Sequence, residues 1–210
     1  MGLPNARLST IRSICVYCGS SPGNSPVYLE AGRTLGRAMA AAGITLVYGG
    51  GLKGIMGAVA NGAVEGGGSV TGIIPRFLIR KDAGDATGLD HLDEVIITED
   101  MHERKHAMFE RSDAFVALPG GIGTVEEIVE IMTWAQLGRH EKPMVFGNVA
   151  GFWNPMLSLI DHMKGEGFIH SQHLVRPLVV DDAADIVPAI IEAAKRRTDM
   201  DGDQAIIERM

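Results

Sequence analysis

The chain is poor in several things that would assign it quickly. Among its 210 residues are two cysteines, no run of lysine or arginine, and a formal net charge of −7. That balance argues against a nucleic-acid or anionic-membrane surface, while a local basic pocket for a small anion remains compatible with it. No apolar stretch approaches the ~18–20 residues that span a bilayer. The opening, MGLPNARLST, lacks the apolar centre of a signal peptide, and Ala6 stands where a myristoylation signal requires Ser or Thr. A cytoplasmic protein is therefore expected. No glycine loop is followed by G-K-[S/T], which excludes the ATPase P-loop, and no repeat of solenoid period is present.

What is there reads as a soluble globular chain, with 46% hydrophobic and 21% charged residues. One domain over 1–210 is the economical expectation, with 1–12 and 197–210 as flexible termini. Apolar runs predict strands at Ser13–Cys18, Ile44–Tyr48, Ser69–Ile74, Glu94–Ile97, Ala114–Leu118, Pro143–Gly147 and Leu178–Val180. Helical periodicity predicts helices at Pro26–Ala42, Ile55–Val64, Met101–Arg111, Val125–Leu137, Pro155–Lys164 and Ala184–Lys195. This alternation of strand and helix, with near-continuous apolar strands, argues an α/β fold: a parallel sheet covered by helices on both faces. Residues 80–93 lack periodicity and read as a loop over the sheet. Cys15 and Cys18 form C-x-x-C, but on a strand a three-residue offset sends the side chains to opposite faces. Core packing is the better reading than redox chemistry.

Three predicted strands run into glycine-rich turns: CGSSPGNS (18–25), YGGGLKGIMG (48–57) and LPGGIGTVEE (118–127). In a parallel sheet all three lie at one edge. Glycine permits close backbone approach, and the helix that follows points free N–H groups at the loop, which suits phosphate. Gly19, Ser20, Gly50, Gly51, Gly120 and Gly121 are candidate seat residues; the plainer alternative is that these glycines only close tight turns. Gly49, Gly51 and Gly54 satisfy G-x-G-x-x-G, but the next strand ends in Pro75 without the acid that would hold a ribose, so a dinucleotide is discounted.

Two charged clusters follow. Thr124 and Glu127 form T-x-x-E, which reads as a capping box with Glu126 in the same first turn. A glutamate there is expected to stay ionised, and beside a phosphate it could stabilise charge developing on a sugar or orient water. In EDMHERKH (99–106), Asp100 and Glu103 read as a helix start. Arg104 and Lys105 then fall where the helix dipole disfavours cations. An anionic ligand or an ionised glutamate would explain that placement, as would a solvated face. His102 to His106 also spells H-E-x-x-H, but two cations between the ligands oppose zinc. No metal and no cofactor is expected.

With MHERK, PGGIGTVEE and TWAQLG, the chain resembles the LOG (lonely guy) family, the cytokinin riboside 5′-monophosphate phosphoribohydrolases. The likeness runs from CVYCGSS through YGGGLKGIMG to PLVVDD. It implies a Rossmann-like, doubly wound parallel sheet and hydrolysis of the N-glycosidic bond in an adenosine monophosphate, N6-modified or not, to free base and ribose 5-phosphate. By motif, Arg104 and Glu127 would be catalytic. Lys105, the stretch Gly121, Ile122, Gly123, Thr124, Val125 and Glu126, and Thr133 would contact substrate. At least a homodimer is implied. Trp134 itself reads as a core or subunit contact rather than part of the reaction. Similar sequences carry a lysine decarboxylase label, yet no lysine here stands in a Schiff-base setting. After IIPR, plant members carry a glutamate; Phe77 stands here, so the resemblance does not settle the preferred N6 substituent. A nucleotide or molybdenum-cofactor carrier without turnover is the alternative, since such carriers share the glycine-rich fold.

Overall fold

In the computed structural model, residues 11–79, 89–90, 92–169 and 177–207 are described, with side chains to 197. Seven strands form one sheet: β1 (Ser13–Tyr17), β2 (Thr45–Tyr48), β3 (Val70–Pro75), β4 (Glu94–Thr98), β5 (Ala114–Ala117), β6 (Met144–Gly147) and β7 (Leu178–Val180). The helices are α1 (Pro26–Ala41), α2 (Gly54–Glu65), α3 (Met101–Glu110), α4 (Ile122–Gln136), α5 (Asn154–Gly165) and α6 (Ile186–Ile207). All seven predicted strands and all six predicted helices are present, most within a residue or two of their expected ends. The exceptions are α4, which starts three residues early, and α6, which continues well past Lys195 to Ile207. Calls on 1–10, 80–88, 91 and 208–210 lie outside the described residues. At the end of the predicted loop, Leu89 and Leu92 are buried in the core.

Every strand pair is parallel, and the order is β4-β3-β2-β1-β5-β6-β7. The chain winds outward from β1 to β4, then returns to place β5 on the other side of β1. The order reverses between β1 and β5, and ligands of open α/β sheets sit outside the strand ends at such a point. Two apolar clusters cover the two faces. One joins Ile14, Val16 and Cys18 to α1, α2 and α6; the other joins Cys15 and Tyr17 to α3, α4 and α5. The two cysteines are buried, free and on opposite faces, as the period of two requires. Burial of the thiols, above all, pushes both well up in pKa, the opposite of a reactive C-x-x-C. Among the described residues no helix is long and apolar enough to cross a membrane.

Candidate active site

Helix α3 starts where Asp100 and Glu103 predict. Asp100 Oδ1 accepts from Glu103 N (2.8 Å), and Glu103 Oε2 accepts from Glu99 N (3.0 Å). This reciprocal cap sets where α3 begins. Arg104 goes inward and is 5% exposed, whereas His102 and His106 are exposed. The zinc-like pattern thus faces away from the buried arginine, and no group of three or more potential metal ligands occurs among the described residues.

A guanidinium buried in the first turns of a helix needs acceptors, and the sheet supplies them. Arg104 Nε donates to Ile73 O (3.1 Å) and Nη2 to Gly49 O (3.4 Å), carbonyls at the carboxyl ends of β3 and β2. Nη1 is left 3.6 Å from Glu127 Oε1. The pair is therefore a close ion pair, with the arginine held by backbone and the glutamate facing it.

The T-x-x-E reading is corrected here. Helix α4 begins at Ile122 with Gly121 as N-cap and no side-chain cap, so Thr124 lies inside the first turn and Glu127 in the second. Gly121 ends the loop as the N-cap, and Gly123 lies in the first turn of the helix. The expectation that Glu127 stays ionised is also corrected. Burial raises its pKa to about 7, Arg104 pulls the other way, and Glu126 adds to the rise. In the second turn of the helix, past the reach of its dipole, desolvation decides the direction.

Without a side-chain cap, the first-turn amides of Ile122, Gly123 and Thr124 precede the first intrahelical bond, which Val125 N makes to Gly121 O (3.1 Å). That is the geometry of an anion seat. The other two glycine turns are used differently. Ile55 N and Met56 N at the start of α2 both donate to Gly19 O (3.0 and 3.2 Å), so that helix end is occupied by protein. Gly19 N in turn donates to Pro119 O (3.0 Å), tying the β1 turn to the β5 turn. Gly50 turns the chain at φ 74° and Gly51 packs on Met56. Of the three loops at this edge, one presents a row of uncapped amides.

A family model described as "Possible lysine decarboxylase" matches residues 56–190. Over 170 residues the chain is 46% identical to cytokinin riboside 5′-monophosphate phosphoribohydrolase LOG1 of Arabidopsis thaliana, which spans 80% of this chain and 78% of the relative. It is likewise 46% identical over 170 residues to the probable cytokinin riboside 5′-monophosphate phosphoribohydrolase LOGL2 of Oryza sativa subsp. japonica, 80% of this chain and 68% of the relative. The chain belongs to the LOG family. Its LOG-family fold also matches the solved structure of the molybdenum cofactor binding protein from the phototrophic bacterium Rippkaea orientalis, with a TM-score of 0.61 and 20% identity over 87% of this chain and 97% of that one. At that identity the likeness is one of fold.

Elsewhere in this LOG-family site, Lys105 Nζ bonds Glu126 Oε1 and lies 3.2 Å from Glu130 Oε2, pinning α3 to α4. Burial draws its pKa down, but the two carboxylates outweigh that and the net shift is upward. Val125 is half-buried against the core. Thr133 is exposed and donates to Val129 O (2.8 Å). It stands 11 residues beyond Ile122, roughly 16 Å along the helix, so this chain does not bring it to its own amide row. Trp134 packs edge-on against Phe109, with Arg139 over its ring, and takes no part in the pair. Phe77 is 62% exposed, in a short 3-10 turn after β3.

At the reversal point a cavity of about 230 Å³ opens between the β1 and β5 turns, lined by Gly19, Ser20, Tyr28, Gly120, Gly121 and Phe152 among others. Gly120 is needed there, because a β-carbon would lie 2.2 Å from Thr124 Oγ1 and 2.9 Å from Gly19 N. Arg104 and Glu127 are not in its lining. Tyr28 and Phe152, which meet edge-to-face at 5.9 Å, escaped sequence reasoning, since nothing local marks either as a wall of the site.

Proposed function

We propose that this protein hydrolyses the N-glycosidic bond of adenosine 5′-monophosphate or its N6-modified relatives, releasing free base and ribose 5-phosphate. The observation that carries the reading is the buried Arg104–Glu127 pair, one turn along α4 from uncapped amides. The amides of Ile122, Gly123 and Thr124 hold the 5′-phosphate and so fix the ribose. As the bond from C1′ to the base breaks, its electron pair leaves with the base and positive charge develops on the sugar. Ionised Glu127 stabilises that charge and directs water to C1′; the water oxygen ends on ribose and a proton on the base. Arg104 favours the ionised form of Glu127 and keeps it in place. A carrier would need the phosphate seat but not an ionisable pair kept out of water, which supports the enzyme reading.

We also infer a cytoplasmic homodimer. Ile122 (84% exposed), Val129 (38%), Leu137 (71%) and the exposed Thr133 share one side of α4, a stripe that a second copy would cover. The two free cysteines suit a reducing compartment. The test is incubation with AMP, N6-isopentenyl-AMP and adenosine, with chromatography for free base and ribose 5-phosphate. Equimolar products from the monophosphates are expected, with adenosine poorer by ~10²-fold or more for lack of the phosphate anchor. Binding without base release would contradict the reading.

A further inference from the structure

Gly49 follows Tyr48 at the carboxyl end of β2. Unlike Gly50, which needs glycine for its φ of 74°, Gly49 has a backbone open to any residue; what it lacks is room. A β-carbon there would lie 2.0 Å from Arg104 Nη2 and 3.2 Å from its Cζ, where ordinary contact is ~3.5 Å. The guanidinium occupies the volume that any other side chain would fill, and the same nitrogen donates to Gly49 O.

We propose that Gly49 is a positioning residue for the hydrolysis: its missing side chain forms the slot that holds the Arg104 guanidinium against Glu127. Ile73 O takes Nε and Gly49 O takes Nη2, while Nη1 faces the carboxylate at 3.6 Å and also lies 3.7 Å from Met101 Sδ. The guanidinium is planar and rigid, so a methyl that displaces Nη2 carries Nη1 with it. The group that must yield is the end of a long side chain, so the β2 strand and its loop keep their path. The activity arm of the test rests on the reaction proposed above; the placement of Arg104 does not.

The experiment compares the full-length chain with G49A, R104Q and the G49A/R104Q double variant. Two readouts are taken: turnover of AMP against pH, and NMR titration of the Glu127 carboxyl in 13C-glutamate-labelled protein, assigned with E127Q. G49A is expected to lower kcat by ~10-fold or more and to move both the acid limb and the carboxyl titration to higher pH, as R104Q does. In the R104Q background G49A is expected to add less than about 2-fold, because both changes remove one interaction. A G49A protein whose Glu127 titrates as in the parent, or losses that multiply in the double variant, would overturn the proposal. If G49A does not fold, the double variant decides, since its shorter side chain vacates the slot. Recovery of folding there supports the proposal, and continued unfolding overturns it. A parent that releases no base from any nucleotide sinks the reaction instead, and the titration still judges Gly49.

Discussion

Replacing Glu127 with glutamine should destroy activity and, at alkaline pH, stabilise the protein. The carboxyl is 6% exposed and its pKa stands at about 7, against an ordinary 4.5. With the folded value above the unfolded one, the folded state holds the proton more tightly. The contribution of Glu127 to stability is therefore fully present below about pH 4.5 and lost as pH rises through about 7. At ~1.4 kcal/mol per pH unit, titration of Glu127 lowers stability by about 1 kcal/mol at pH 5.5, where mainly the unfolded state ionises, and by about 3 kcal/mol at pH 8. E127Q does not titrate, so its advantage over the parent should grow by about 2 kcal/mol between those two pH values. That increment is independent of how well the amide itself fits. Urea unfolding of both proteins at the two pH values measures it, with turnover of AMP on the same samples expected to fall by ~10²-fold or more. An advantage that is flat with pH, or shrinks, would mean that Glu127 is ionised throughout and that burial does not govern it.

Three further outcomes follow from the same geometry. The acid limb of kcat/KM should lie near pH 7, above the ~6 of the substrate phosphate, because Glu127 must be ionised; a limb at 4 to 5 would refute its raised pKa. G120A should raise KM by ~10-fold or more with a smaller change in kcat, as its methyl drives Thr124 out of the amide row, and an unchanged KM would remove that loop from phosphate binding. His140 Nε2 lies 2.9 Å from Ile131 O and Nδ1 accepts from Lys142 N, an arrangement only the neutral ring satisfies, and burial above all lowers its pKa. Its contribution is thus present above about pH 6.5 and lost as pH falls, so the cost of H140A, about 2–3 kcal/mol at pH 7.5, should shrink at pH 5.5 in urea unfolding.

Much of this molecule is legible locally. The apolar period of two in β1 sends Cys15 and Cys18 to opposite faces, and Asp100 with Glu103 marks the start of α3 within its own residues. Arg104 stood out because its helix position is unfavourable, and the structure supplies the carbonyls and carboxylate that make it tolerable. What local pattern does not carry is the partner of each group. Glycine in the YGGG turn signals only permissive backbone, yet Gly49 is there for an arginine 55 positions away. The amides at the start of α2 look as free as those of α4 until Gly19 O is found beneath them. Glu127 reads as a helix cap because T-x-x-E has the cap's spacing, while its actual surroundings are set by the packing of α3 and α4 on the sheet. The order of strands, and with it the place where the turns of β1 and β5 meet, depends on which side of β1 the chain returns to.

The most direct measurement is a crystal structure of the E127Q protein, flash-cooled after a brief soak in excess AMP. Expected is the phosphate on the amides of Ile122, Gly123 and Thr124, with C1′ within ~4 Å of the side chain at position 127 and Arg104 still on Ile73 O. A nucleotide lodged elsewhere, or one seated on those amides with C1′ turned away from position 127, would contradict the central claim.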